Sequence, residues 1–360
     1  MTRRLWILLL SLAACQAAEQ RARNVVLFLG DAGGIPTLHA ASLHGYGAPQ
    51  KLFIHQMPHH ALMETSTASA WVTDSAAGMT AIVTGQKTQG GVISQSAAAI
   101  RGKKDGEPLK TILEYAEERG LSTGVITNSP VADATPAACY AHANDRKKSG
   151  EIFVQILKPR FGDGVDIVIG PGRKNILAAT EAMGLDIEAE LKKKGYAVTD
   201  SVESIPASAR RVVALLDSAE FDLDLAVTKA LAILSKNPKG YFLMVESDLH
   251  TNNLKRGLDR AVEVDKIVRK VTQTAGRDTL VIFTADHSFD LRVRGGKKGE
   301  PILNQQPPET DPKARPVIRV DDGHTGEEVL VAAQGPGAER VKGFIANTDL
   351  FRIMMAAYGW

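Results

Sequence analysis

Cysteine is scarce in this chain, strong net charge is missing, and no apolar run is long enough to span a bilayer. Two cysteines in 360 residues, Cys15 and Cys139, exclude a disulfide-stapled scaffold. A formal net charge of +2 is too small to argue for a nucleic-acid partner. Short basic patches such as Lys192-Lys193-Lys194 and Lys297-Lys298 read as solvated faces. Neither an internal repeat nor a low-complexity domain is present. Apolar content of 44% and charged content of 23% are those of a soluble globular protein able to bury a substantial core.

The N-terminal apolar run, Leu5 to Leu12 behind Arg3 and Arg4, is too brief to cross a membrane and reads as part of a signal peptide over residues 1–18. Leu12-Ala13-Ala14-Cys15 resembles a bacterial lipoprotein processing box, with Cys15 as the lipidated residue and the anchor to the membrane. Ordinary cleavage near Ala18 is the alternative. Both predict an exported protein, periplasmic or membrane-anchored outside the cytoplasm.

What the chain does have is a series of buried-strand signatures. Asn24 to Gly30 is an unbroken apolar run ending in Gly30-Asp31. Similar runs occupy Ser122 to Thr127, Val165 to Gly170, Tyr241 to Glu246, Thr279 to Thr284 and Glu328 to Ala333. Helical spacing marks Leu109 to Arg119, Leu223 to Ser235 and Leu258 to Thr274. This alternation predicts an α/β fold: a mostly parallel central sheet with helices on both faces. Ligands of such sheets sit outside the carboxyl ends of the strands. Leu291 to Val320, rich in Pro and Gly, predicts a loop-like lid or rim rather than a long regular element.

Hard oxygen and nitrogen ligands recur where these strands end. Asp31 closes the first run ahead of Gly33-Gly34, and Asp286-His287 follows Thr279 to Thr284. Glu246, Asp248 and His250, spaced by two, share one face if that strand continues. His324 lies in Asp321-Asp-Gly-His-Thr-Gly326. Buried charges in such a row need partners or metal, so the constellation predicts several divalent cations. Ser75 follows Asp74 and Thr73, either of which can cap a helix running toward Thr84. That places its hydroxyl in a first turn, where free N–H groups and the helix dipole favour an anion. A serine amid metals reads as a nucleophile activated by coordination, and the set as a metal-dependent phosphoester hydrolase. His39, His44, His55, His59, His60 and His142 lack comparable company and read as structural or surface residues.

These pieces, in their order, resemble the alkaline phosphatase family. The matching residues are Gly30-Asp31, Thr73-Asp74-Ser75-Ala76-Ala77, Asp133-Ala-Thr135-Pro-Ala-Ala138, Arg146, Glu246, Thr284-Ala-Asp286-His287 and Gly323-His324-Thr-Gly326. The resemblance implies a three-layer α/β/α catalytic domain over residues 19–360 that hydrolyses small phosphate monoesters. It implies Ser75 as the nucleophile that becomes phosphoserine, and Arg146 as the guanidinium gripping two phosphate oxygens. It further implies two Zn2+ and one Mg2+. Asp31, Asp286 and His287 correspond to one zinc site, and Asp248, His250 and His324 to the zinc on the leaving-group side. Asp31, Thr135 and Glu246 correspond to the magnesium site, with Asp133 near it. A homodimer is also common in the family.

One segment departs from the family pattern. The family sets longer intervals between its Glu, Asp and His, whereas here single residues, Ser247 and Leu249, fill both. Asn252, Asn253 or Asp259 could stand in for a ligand there. Competing readings are a phosphodiesterase or phosphonate hydrolase of the same superfamily, and a non-catalytic phosphate- or metal-binding lipoprotein. Thr135 and Glu246, the third-metal residues, argue against the first. The otherwise complete set of catalytic residue types argues against the second. A sulfatase is excluded because Ser75 lacks the following Pro-x-Arg.

Overall fold

The computed structural model describes residues 21–307 and 315–360. Twelve strands follow in chain order: β1 (Asn24–Asp31), β2 (His59–Glu64), β3 (Ser122–Thr127), β4 (Ile167–Pro171), β5 (Ala197–Thr199) and β6 (Val212–Leu216), then β7 (Tyr241–Asp248), β8 (Thr279–Thr284), β9 (Ser288–Val293), β10 (Ile318–Thr325), β11 (Val329–Gln334) and β12 (Gly343–Ala346). Ten of them form one sheet in the order β12-β2-β11-β8-β1-β7-β3-β4-β6-β5. Every pairing is parallel except those of β11, which runs antiparallel to β8 and β2. β9 and β10 form a separate antiparallel pair.

The six apolar runs became β1, β3, β4, β7, β8 and β11, because strands buried on both faces cannot afford polar alternation. β1 shows how the layers arise. Val25, Leu27 and Leu29 pack into one hydrophobic core, while Val26 and Phe28 face the other. The first core is closed by the helices Ser75–Thr84, Ile112–Glu118, Ala134–Tyr140 and Asp349–Tyr358. The second is closed by Ile35–Tyr46, Leu223–Leu234 and Leu254–Thr274. Helices cover both faces, giving a three-layer α/β/α fold.

Two expectations need correction. β7 stops at Asp248, so His250 leaves the strand and does not continue the Glu246–Asp248 face. The stretch 291–320 is not wholly loop: β9 enters it to Val293, Ile302–Gln305 is a 3-10 turn, and β10 begins at Ile318. Residues 308–314 lie outside the described residues, as do residues 1–20, where the expected signal peptide and Cys15 fall. Among the described residues, no helix is long and apolar enough to cross a membrane.

Parallel register brings the polar strand ends together. Asp31 pairs with Asp248 across β1–β7, and Leu29 is flanked by Glu246 and Thr284. Thr127 lies opposite Glu246 across β3–β7. The central strands therefore present Asp31, Glu246 and the Asp286-His287 exit at one edge of the sheet.

Candidate active site

Ser75 opens the helix Ser75–Thr84 behind Asp74, whose Oδ1 accepts from the N–H groups of Ala77 (3.2 Å) and Gly91 (3.1 Å). That cap fixes the first turn and leaves the dipole's positive end at the serine. Gly78 lets the helix approach the Asp286 segment: a Cβ there would stand 3.0 Å from the Asp286 carbonyl oxygen. Ser75 Oγ, almost fully buried, lies 3.3 Å from Asp31 Oδ2 and 3.4 Å from His287 Nε2.

The chain brings most of the expected ligands together. Donor atoms of Asp31, Asp286 and His287 lie within 4.8 Å of one another, as do those of His250, His287 and His324. His287 Nε2 is 3.2 Å from Asp31 Oδ1 and 3.6 Å from Asp286 Oδ2. His250 Nε2 and His324 Nε2 approach to 3.4 Å, and the His287 and His324 rings stack with centroids 3.7 Å apart. Burial favours neutral forms here, and the charges then partition. Asp31 is buried, yet its hydrogen bond to His287 and the charges of His287, His250 and Arg146 hold its carboxyl below the usual range. Burial and the charge of Asp31 push Asp286 up to about 6. Burial opposes the charge on His287, but Asp286 and Asp31 outweigh it and raise the imidazole to about 9. Burial and the neighbouring charge of His287 lower His324.

The Glu246 side is also assembled. Glu246 is fully buried, accepts a short hydrogen bond from Thr127 Oγ1, and is pushed well above the carboxylate range by burial and by Asp31. Thr135 sits in the first turn of the helix Ala134–Tyr140, which Asp133 precedes. Arg146 spans the two aspartates, with Nη1 3.1 Å from Asp74 Oδ2 and Nη2 2.9 Å from Asp133 Oδ1. The guanidinium is thereby tied to the cap of the serine helix and to the Asp133 loop.

The donor set fits divalent cations. Asp286 Oδ2, Glu246 Oε1 and Thr135 Oγ1 are buried without a hydrogen bond. Three orphaned buried oxygens are costly unless a cation uses them. Carboxylate, hydroxyl and imidazole together are the donors chosen by zinc and magnesium.

Asp248 is not brought into either ligand cluster. Its Oδ1 meets His250 Nδ1 at 2.8 Å and its Oδ2 meets Arg260 Nη1 at 3.0 Å. Asn253 caps the helix Leu254–Thr274, and Asp259 pairs with His44 and Lys255; neither belongs to the two ligand clusters. Sequence reasoning missed Arg260. Its signal was a charge on the buried stripe of that helix, between Leu258 and Ala261. Asn128, which accepts from the Asp248 backbone N–H at 2.7 Å, gave no such signal.

The alkaline phosphatase family model matches residues 22–207 and 217–320. Tissue-nonspecific alkaline phosphatase of Rattus norvegicus is 29% identical over 91% of this chain and 73% of its own length. Alkaline phosphatase of Escherichia coli is 28% identical over 95% of this chain and 87% of its own. The solved alkaline phosphatase of the Antarctic bacterium TAB5 has the same fold, with a TM-score of 0.78 at 24% identity, covering 95% of this chain and 99% of that one. The chain belongs to the alkaline phosphatase family and is an enzyme of phosphate monoester hydrolysis, a chemistry for which the family uses divalent metal ions.

Proposed function

We propose that residues 19–360 act as one catalytic unit that hydrolyses small phosphate monoesters through a phosphoserine at Ser75. The observation that carries this reading is the placement of Ser75 Oγ at a helix N-terminus, within 3.4 Å of both Asp31 and His287. Asp31, Asp286 and His287 would hold one Zn2+, His250 and His324 a second, and Asp31, Thr135 and Glu246 an Mg2+ with Asp133 beside it. Such ions, when bound, neutralise phosphate charge and make hydroxyl and water nucleophilic near neutral pH.

The chain's own residues then divide the work. Ser75 Oγ, its hydroxyl hydrogen-bonded to Asp31 Oδ2, forms the bond to phosphorus as the ester's P–O bond breaks; the serine proton passes to solvent, and the departing alkoxide takes up a proton and leaves as the free alcohol. The first-turn N–H groups behind Ser75 meet the phosphoryl oxygens, and Arg146 keeps a second N–H on each terminal nitrogen for them. Phosphoryl transfer is governed mainly by positioning and charge neutralisation, which suits a site this rigidly tied. Water then cleaves the phosphoserine, releasing inorganic phosphate and restoring the hydroxyl.

The same reading places the protein outside the cytoplasm, in a periplasm or anchored to a membrane through lipidated Cys15, and expects a homodimer. Hydrolysis of a chromogenic phosphate monoester, before chelation, after it, and after restoring zinc and magnesium, tests the activity. Turnover lost and regained is expected. No turnover with both metals supplied, or turnover indifferent to chelation, refutes it.

A further inference from the structure

The geometry points to Asp248 as a positioning residue for His250, pinned from behind by Arg260, and not as a metal ligand. This rests on the reading of the site as a metal-dependent phosphatase.

All three imidazoles of the centre are oriented alike. His287 Nδ1 lies 3.1 Å from the Ser288 carbonyl oxygen, and His324 Nδ1 lies 3.1 Å from the Thr73 carbonyl oxygen. Each Nδ1 therefore directs its proton toward an oxygen, so that in the neutral ring Nε2 is the nitrogen left to bind a cation. For His250 the same oxygen is supplied by Asp248, whose Oδ1 is 2.8 Å from Nδ1. Asp248 does for His250 what two main-chain carbonyls do for its neighbours. A carboxylate behind an imidazole fixes ring and tautomer and raises the basicity of the other nitrogen. That other nitrogen, His250 Nε2, is the one that faces His324.

Both oxygens of Asp248 already have partners. Oδ1 also accepts from the His250 backbone N–H at 3.1 Å, and Oδ2 is taken by Arg260 at 3.0 Å. Its own N–H is held by Asn128. Arg260 is 5% exposed, and its Nη2 reaches Glu220 Oε1 at 3.0 Å. A guanidinium buried on the apolar stripe of Leu254–Thr274 needs a carboxylate partner, and Asp248 is half-buried whereas Glu220 is exposed. The shortened interval fits this division. β7 ends at Asp248 and the chain turns at once to His250, so the carboxylate sits behind the ring. The leaving-group metal would then be held by fewer protein ligands than the ion at Asp31, Asp286 and His287, and a chelator should strip it first.

The test is a metal-edge anomalous map of the holoenzyme, joined to metal affinities of variants. The expected map has an ion about 2.0–2.1 Å from His250 Nε2 and both Asp248 oxygens beyond about 3 Å. An Asp248 oxygen within about 2.2 Å of that ion overturns the inference while leaving the phosphatase reading intact. No ion at His250 and His324 at all overturns the inference and the two-zinc reading together. In solution, Asp248→Asn should still bind the ion at saturating zinc, with affinity about 10–100-fold weaker, whereas His250→Ala should lose it. Loss of the ion in Asp248→Asn equal to that in His250→Ala overturns the inference. Arg260→Met, checked for native circular dichroism, should weaken the same ion. Unchanged affinity in the folded variant overturns the part given to Arg260.

Discussion

His287 Nε2 and Asp31 Oδ1 lie 3.2 Å apart, joining the end of β1 to the exit of β8 in a buried pair. The pair explains why Asp31 stays ionised although burial favours its neutral form, and why His287 holds a proton up to about 9. Without metal, the positive charge this group of carboxylates demands is supplied by that proton. Asp31 also touches Ser75 Oγ, so one carboxylate serves the nucleophile and the ligand clusters together.

Asp31→Asn removes the charge shared by these groups. The variant should lose more than about 100-fold in metal affinity and in turnover, beyond what removing an outer partner of a ligand costs. Atomic emission of dialysed protein beside kcat measures both. Full metal content with unimpaired turnover would contradict the assignment.

Arg146→Lys keeps the charge and loses the fork. Lysine cannot span Asp74 and Asp133 and also present paired donors to phosphate. Losing a charged hydrogen bond costs about 1.5–3 kcal/mol, which is roughly 10–100-fold in kcat/KM. Kinetics on the chromogenic ester should show that loss with metal content unchanged. A lysine variant as active as the parent would remove Arg146 from phosphate recognition.

Stability should carry a signature remote from the site. Glu117 is buried beneath β3, accepts from Thr123 Oγ1 at 2.5 Å and from the Gly164 N–H at 3.0 Å, and burial with the charges of Asp166 and Asp163 pushes it up to about 7. Its folded pKa exceeds the unfolded value of 4.5, so between them the folded state binds more protons. Stability therefore falls as pH rises from about 4.5 to 7. Glu117→Gln should flatten this decline, with Asp166, raised to about 6, retaining part of it. Thermal unfolding at pH 5 and pH 8 measures the slope, and equal slopes in parent and variant would contradict it.

The central fold was legible because its strands are covered on both faces and must be apolar throughout. β2, half-exposed with two leading histidines and next to the sheet's edge, and the edge strand β12, with Phe344 77% exposed, carry no such signature because the margin of a sheet buries little. At the site, Asp31, Asp286 and His287 could be read as strand-end ligands because period-two geometry ends where they begin. The Glu246–His250 row could not. Its reading depended on β7 continuing past Asp248, and on ignorance of Arg260, which arrives from a separate helix. Parallel-sheet contacts set by distant segments leave no local trace in a sequence.

The central claim is that Ser75 carries the phosphoryl group. Acid-quenching the metal-loaded enzyme during turnover and mapping the phosphorylated peptide tests it most directly. The account predicts phosphate on Ser75 in the parent, and none in Ser75→Ala, which should retain its metal. Phosphoenzyme persisting in Ser75→Ala, or phosphate mapped to another residue in the parent, would contradict it.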